Sequence, residues 1–542
     1  MSGPLYHSHL GVIDFQAEGV GEAYVDPNPV AFWDTGIGKT HLAMLLGCVM
    51  FEDDLIDQIL VVAEKNKVLD WVADFSKFTD LTAMAYAGDK AKREKLRNDP
   101  PQVLCGTYET IKNDAAIAGK TKRANWIEGP LTHALKRRRV LVVYDECTRL
   151  RGRGTGLYKA HERMVKSLRA AHNGTKVLGL TGTPIETSPE GAFNFGRIIK
   201  GEDVMGTVAD FEKNHIVSYD LFKNPNKFKN IGERDHVDLD VPTLRDRLAP
   251  MVKKKTDPDV YSQFPKQIEE FIVTPMGKTQ AELYRAVAGS LSEEERAAMM
   301  EELGQKQGAL AIAEHERSLF MALRLIAGYP LALTRANGAL ATKITQEVGE
   351  AGLRAMGSPK RDRLIENLDQ VVRGQGDRVV VFSFFADTFI PLLADDLRNE
   401  GFEVVLNVGS MSGPARQASI EAFRSGRAEV FLSSDAGSKG LNLPEALYVD
   451  NFELPPTIAN YIQRINRNNR IDSPHPSVTC RSYIAPDTVE EGLRYLMLSR
   501  NDYHDTLLED GEDGRGFISA DDRRKLISNA FKMHDIRAAA AA

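Results

Sequence analysis

The sequence predicts an α/β protein made of two tandem parallel-sheet lobes with helical insertions. Three observations lead there. Short, near-continuous Val/Ile/Leu runs recur, as strands buried on both faces require. Longer amphipathic segments alternate with them, as crossover helices must. The runs also fall into two blocks, one before about residue 240 and one after about residue 360.

In the first block the expected strands are "ILVVA" (59–63), "QVLCGTY" (102–108), "VLVVYDE" (140–146) and "KVLGLTG" (176–182). In the second they are "RVVVFS" (378–383), "FEVVLNV" (402–408), "EVFLSS" (429–434) and "ALYVDN" (446–451). Residues 276–357 carry helical patterns such as "SEEERAAMMEELGQKQGALAIAEHERSLFMALRLI", read as a helical insertion and not a third core. The expected division is a first lobe over 1–245, a linker and helical insertion over 246–357, a second lobe over 358–505 and a helical tail over 506–542.

Composition narrows the function classes. A hydrophobic share of 42% with 27% charged residues is an ordinary soluble, globular balance, with material for a core in each half. The net charge of −7 means that any polyanion must be held by a local patch. Cys48, Cys105, Cys147 and Cys480 are far apart and form no C-x-x-C, which argues against a disulfide framework or a structural zinc site. The N-terminus has no signal-peptide pattern, and no apolar run approaches the ~20 residues that span a bilayer. The expectation is a soluble, cytoplasmic protein without membrane contact.

"AFWDTGIGKTH" (31–41) joins a strand "PVAFW" to a helix "HLAMLLGCVM" through a tight glycine-bearing turn. That is the setting of a phosphate loop, where backbone N–H groups and a helix N-terminus face an anion. Thr35, Gly36, Ile37, Gly38, Lys39, Thr40 and His41 are the candidate nucleotide-binding residues. Lys39 would reach the β- and γ-phosphates and the Thr40 hydroxyl would bind Mg²⁺. Trp33 stands six residues before the lysine, where the full pattern has glycine. "VLVVYDECT" supplies carboxylates at a buried strand end: Asp145 for the Mg²⁺ shell and Glu146 to orient or deprotonate the attacking water. Together the two segments point to a nucleoside triphosphatase.

The order of further segments is telling. "FQAEGV" (15–20), "ILVVAEKNKVLDWVADFSKF", "YAGDKAKREKL", "GTYETI", "DECT" and "LGLTGTPIETSPEGAFNF" (178–195) follow one another in the first block. "LAPMVKKKTDPDVYSQFPKQIEEFIVTPMGKTQAELY" (248–284), "GSPKRDRLIENL", "SSDAGSKGLNL" (433–443) and "QRINRNNRID" (463–472) follow in the second. This succession resembles the superfamily-two nucleic-acid translocases, specifically their Swi/Snf-like branch, over roughly residues 10 to 500.

The resemblance implies two RecA-like lobes with an ATP cleft between them. It places Gln16 at the adenine, Thr181 and Thr183 at the coupling of hydrolysis to lobe movement, and Gly440 at the nucleotide. It adds Gln463, Arg467 and Arg470 as catalytic groups of the second lobe. The two arginines, three residues apart, are expected on one face of a helix, aimed at the γ-phosphate. Nucleic-acid phosphates would meet Lys65, Asn66 and Thr107 in the first lobe, and Ser383, Ser433 and Ser434 in the second. Departures from the family pattern are Thr148 in the acidic box, Lys253 and Lys254 for an arginine pair, and Ser438 and Lys439 before Gly440. "KRRR" (136–139) reads as a solvated turn, whereas "MVKKK" (251–255) gains a claim on nucleic acid through the family match.

The leading expectation is an ATP- and Mg²⁺-dependent DNA translocase, a monomer that tracks duplex without sequence preference. The competing readings are a strand-separating helicase on forks or hybrids, an RNA-dependent ATPase, and a nucleotide-switch scaffold. No wedge hairpin and no chromatin-targeting module is evident in the sequence. The first fits tracking of duplex without parting it; the second favours a bacterial or phage protein of replication, recombination, repair or defence.

Overall fold

The apolar runs become strands because each side chain they carry can be buried on one or other face of a covered sheet. A computed structural model describes residues 5–7, 14–33, 36–121, 124–172, 174–182, 189–219, 229–231, 243–252, 260, 262–289, 315, 317–438, 441–456, 458–470 and 473–494. Thr35, Thr183, Gly440, the lysines at 253–255 and the tail after 505 lie outside the described residues. The chain divides into two units, with the boundary between Gln263 and Phe264.

In the first unit β1 (Val30–Phe32), β2 (Gln58–Ala63), β3 (Ala83–Tyr86), β4 (Val103–Thr107), β7 (Val140–Asp145) and β8 (Lys176–Thr181) form one sheet. Its order is β1-β8-β7-β2-β4-β3, and every pairing is parallel. Every residue of β2 is buried, so helices cover both faces. Two antiparallel hairpins sit outside this sheet: β5 (Ala116–Thr121) with β6 (Ala124–Glu128), and β9 (Ile216–Tyr219) with β10 (Lys229–Ile231).

The register decides where the chemistry falls. Phe32 of β1 lies across from Thr181 of β8, and Leu180 of β8 across from Asp145 of β7. Three neighbouring strands therefore end side by side, and their carboxyl ends carry the phosphate loop, Thr181 and Asp145. Such ends are where open α/β sheets bind ligands.

The second unit repeats the plan. β11 (Lys266–Val273), β12 (Val379–Ser383), β13 (Val404–Asn407), β14 (Val430–Ser434), β15 (Tyr448–Asn451) and β16 (Ser477–Ile484) form an all-parallel sheet in the order β11-β16-β15-β12-β14-β13. Helical residues between β11 and β12 pack into this second core. Tyr284, Leu323 and Ile326 share a cluster with Val379, Val381 and Leu432. Among the described residues, no helix is long and apolar enough to cross a membrane, and all four cysteines are buried and free.

Candidate functional site

The phosphate loop is shaped by two glycines. Gly36 has φ 100° and Gly38 φ 92°, a region that L side chains rarely adopt. A Cβ on Gly38 would also lie 2.1 Å from Gln16 Nε2. Gln16 is buried and donates to the Ile37 carbonyl at 3.1 Å, so it braces the loop from the helix Asp14–Val25. Lys39 Nζ donates back across the turn to the Trp33 carbonyl at 2.9 Å.

Trp33 explains its own departure from the pattern. Its ring turns away from the loop onto the helix Asp14–Val25. There it packs 4.8 Å from Phe15, and a Cβ on Gly19 would meet it at 2.3 Å. What the loop uses is the Trp33 backbone: its N–H donates to Thr181 O at 3.3 Å and its carbonyl takes Lys39. The His41 side chain leaves the loop as well. Its Nδ1 meets the Tyr6 hydroxyl at 2.6 Å and its ring stands 4.6 Å from Phe78. Burial, and then the Lys77 ammonium, hold the His41 pKa below its ordinary value.

The acidic pair has a support of its own. Trp71 Nε1 donates to Asp145 Oδ2 at 2.9 Å, from the helix Val68–Phe78. The Tyr108 hydroxyl donates to the Asp145 carbonyl at 2.8 Å and the Glu146 carbonyl at 3.2 Å. Behind it, His161 bridges the Tyr108 carbonyl (3.1 Å) and the Tyr144 hydroxyl (3.2 Å). Burial pushes the His161 pKa down to about 4, so this ring is neutral at physiological pH. Glu146 has φ 52°, a strained value for a side-chain-bearing residue that persists only where neighbours enforce it. The turn that follows is tied by Arg149 to Glu64 at 3.0 Å.

The candidate nucleic-acid residues of the first unit differ in setting. Lys65 is exposed. Thr107 caps the helix Tyr108–Ala115, accepting from Thr110 N at 3.0 Å. Two of the four "KRRR" residues are held in ion pairs, Lys136 with Glu128 at 3.1 Å and Arg139 with Asp57 at 2.7 Å.

In the second unit the three candidate serines are buried. Ser383 Oγ donates to Glu453 Oε1 at 3.2 Å, Ser433 Oγ to Asn407 O at 3.2 Å, and Ser434 Oγ accepts from Gly437 N at 3.2 Å. Contact with a phosphate would require these strand ends to open first.

One expectation is corrected. The helix Ile458–Ile465 stops before Arg467 and Arg470, so the two do not share a helix face. The Asn-rich run disfavours continuation, and the Arg467 carbonyl is taken instead by Leu443 N at 3.0 Å. Arg467 Nη1 donates to Leu441 O at 3.0 Å; both arginines are buried, while Gln463 is half-buried. Sequence reading passed over Arg464, which is fully buried and grips Asp435 from both Nε and Nη2. Its place beside Gln463 was the available signal.

Residues 29–325 match the SNF2-related domain, and residues 359–472 match the helicase conserved C-terminal domain. The chain belongs to the SNF2-related family. An uncharacterized ATP-dependent helicase of Mycoplasma pneumoniae is 23% identical over 454 residues, covering 83% of this SNF2-related chain and 37% of its own length. The mouse chromodomain-helicase-DNA-binding protein 1-like is 24% identical over 478 residues, 84% of this chain and 45% of its own. The chain thus spans less than half the length of either relative. The helicase domain of Hef from Pyrococcus furiosus superposes with a TM-score of 0.53 at 17% identity, over 92% of this chain and 99% of that one. The likeness is one of fold: each six-stranded unit is a RecA-like lobe, as the sequence predicts.

The SNF2-related family implies ATP use, and the residues present fit a nucleotide carrying Mg²⁺. Gly36 and Gly38 both hold positive φ, as a phosphate-binding turn requires, and a Cβ at Gly38 would strike Gln16. Among the described residues no group of three or more His, Cys, Asp or Glu side chains is placed to hold a metal. A phosphate-borne Mg²⁺ needs no such cage, because substrate oxygens and water complete its shell. Thr40 and Asp145, at neighbouring strand ends of the first sheet, are the groups that would hold it.

Proposed function

We propose that this SNF2-related chain hydrolyses ATP to move along double-stranded DNA without reading its sequence. The observation that supports it most is the alignment of three strand ends in the first unit. They bring Lys39 and Thr40, Asp145 and Glu146, and Thr181 to one edge of one sheet. Mg²⁺, when bound with ATP, supplies neutralisation of phosphate charge. Lys39 adds a cation at the β- and γ-phosphates, with the Trp33 carbonyl as its resting partner. Asp145 is oriented by Trp71, and Glu146 serves as the base that aligns water. Gln16 reads the adenine edge while bracing the loop. Arg467 and Arg470 add positive charge during turnover, from the second unit. Thr181 carries the state of the nucleotide into the sheet.

The mouse relative is named as DNA-binding, which supports DNA as the track. Similarity to a mycoplasma and a mouse protein alike does not assign a phage or bacterial setting, so the proposal concerns the motor alone. A strand-separating helicase on forks is the second reading, favoured by Ile117 and Ile127, which pair in the hairpin β5–β6 and are exposed.

Steady-state ATP hydrolysis with no nucleic acid, blunt duplex DNA, single-stranded DNA and RNA in parallel tests the proposal. Stimulation by blunt duplex is expected, and Lys39→Ala should lower it by at least about 10²-fold while leaving DNA binding in place. Stimulation by single strands or forks alone would move the assignment to the helicase reading. Stimulation by RNA alone would overturn it.

A further inference from the structure

A residue expected to meet nucleic-acid phosphates adjoins one that holds the acidic pair. Thr107 closes β4 across from Ala63 of β2, and Tyr144 of β7 lies across from Val62 of the same strand. Thr107 and the acidic pair therefore stand level at strand ends with only β2 between them. The next residue, Tyr108, crosses that gap. Its side chain is buried, and its hydroxyl donates to the Asp145 carbonyl at 2.8 Å and the Glu146 carbonyl at 3.2 Å.

Tyr108 is held stiffly. Its carbonyl accepts from His161 Nε2 at 3.1 Å, and its ring stacks on Tyr144 with centroids 6.1 Å apart and an interplanar angle of 22°. Burial raises its pKa well above the ordinary value, so the hydroxyl stays a donor at working pH. Thr107 caps the helix that Tyr108 begins, its Oγ1 accepting from Thr110 N at 3.0 Å and donating to Thr110 Oγ1 at 2.8 Å. A hydroxyl donates once and accepts twice, so a phosphate can take the Thr107 proton while the cap persists. The far end of the link is the yielding one. Trp71 pins the Asp145 carboxylate at 2.9 Å, and Arg149 pins the following turn to Glu64 at 3.0 Å. Between these two pins Glu146 leaves the strand at φ 52°. Successive carbonyls of an extended strand point to opposite sides, so one hydroxyl reaches both only because of that bend. A shift of Tyr108 is therefore absorbed at the Glu146 backbone and turns its carboxylate.

We propose that Tyr108 is a positioning residue that couples the two sites: a phosphate engaged by Thr107 shifts Tyr108, and the Tyr108 hydroxyl sets Glu146 for hydrolysis. The inference rests on the reading of the chain as a nucleic-acid-stimulated ATPase. The competing account makes Tyr108 a prop. A prop serves the acidic pair equally with and without nucleic acid, whereas a coupler acts on the difference between the two states.

The test uses the full chain and Tyr108→Phe, which removes the hydroxyl and keeps the ring. Steady-state ATP hydrolysis is measured with and without saturating blunt duplex or single-stranded DNA, and the stimulation factor is the ratio of the two rates. Loss of one neutral hydrogen bond should lower that factor about fivefold. The DNA concentration for half-maximal stimulation should hold, because Thr107 keeps its hydroxyl. Thr107→Val removes that hydroxyl and Thr107→Ser retains it. The valine substitution should lower the factor in the otherwise unchanged chain but add little in the Tyr108→Phe background, since the two changes cut one link. The serine substitution should keep the wild-type factor. Thermal midpoints accompany each variant; a partly unfolded preparation scales both rates alike and leaves the factor readable. Basal and stimulated rates lowered by the same amount, or additive effects of the two substitutions, would overturn the proposal and leave Tyr108 as a prop. A wild-type chain that neither DNA stimulates would instead sink the motor reading itself.

Discussion

At the scale of single residues the site depends on hydrogen bonds whose donors lie outside the phosphate loop and the acidic box. The Trp71 indole N–H on Asp145 is the clearest, because it comes from a different helix and sets the carboxylate's direction. Trp71→Phe keeps an aromatic ring, though a smaller one, and removes the donor. A hydrogen bond to a charged acceptor contributes about 1.5–3 kcal/mol, so turnover should fall at least about tenfold. The Mg²⁺ concentration for half-maximal activity should rise, while metal-free nucleotide affinity holds. A lower thermal midpoint with unchanged turnover would mean that Trp71 only packs. Gly38 makes a second case. Its φ is 92°, and a methyl group added there would stand 2.1 Å from Gln16 Nε2, so Gly38→Ala meets both backbone strain and a clash. The strain alone costs about 1–2 kcal/mol, so nucleotide affinity, read by titration with a fluorescent ATP analogue, should drop tenfold or more. Wild-type affinity would show that the loop re-forms around the methyl group. The lysine and the two carboxylates were legible from residue type and spacing. Trp33 was not, because a pattern registers only the side chain, and here the loop uses the backbone of that residue.

At the scale of elements, the strands with continuous Val/Ile/Leu runs were legible because burial on both faces leaves no other composition. The edge strand Ala83–Tyr86 reads "AMAY" and is half-exposed, so it carried no such signal. The hairpin β5–β6 was missed because "AIAGKT" and "ANWIE" carry neither a continuous apolar run nor an Asn-Gly or Asp-Gly turn between them. The end of the helix at Ile465 was missed because it is decided by Leu443, distant in sequence. The carboxyl edge of the second sheet shows what such long-range contacts do to charge. Glu453 is fully buried there; it accepts from Ser383 Oγ and Phe384 N, and Arg464 Nη1 donates to its carbonyl at 2.9 Å. Burial outweighs the nearby Arg464 and Arg324 and pushes its pKa up to about 7. That lies above the roughly 4.3 of an exposed glutamate, so the folded state holds the proton more tightly. The contribution to stability is complete below that lower value and is lost as pH rises through about 7. Thermal unfolding from pH 5 to pH 8 should therefore show a declining midpoint for the second unit. Glu453→Gln, which keeps the acceptor for Ser383 and Phe384, should flatten the decline. An unchanged slope in the glutamine variant would assign the pH dependence to other groups.

At the scale of the whole molecule, the proposed chemistry draws on groups from both units. The first carries Lys39, Asp145 and Glu146, and the second carries Arg467 and Arg470. A nucleotide site complete within the first unit would bind and hydrolyse ATP whatever happened to Arg467. A motor that couples hydrolysis to movement requires the opposite, since turnover must wait on a group that arrives only in one state of the cycle. An arginine acting on transition-state charge is worth roughly 10³ to 10⁵ in rate in related nucleoside triphosphatases. Arg467→Ala should therefore cut DNA-stimulated kcat by about 10³-fold or more and leave ATP affinity nearly unchanged. The structure supplies the competing explanation. Arg467 is buried and donates to the Leu441 carbonyl, so its loss could simply loosen the segment 441–443. Urea unfolding of the same variant separates the two. A finger removed from an intact unit leaves the unfolding midpoint near wild type, whereas a lost brace lowers it and reduces kcat only in proportion. Arg467→Lys sharpens the comparison. It can keep one bond to the Leu441 carbonyl but lacks the planar fork that spans phosphate oxygens. Near-normal stability with turnover still depressed would therefore place Arg467 in the reaction; recovery of both together would place it in the scaffold.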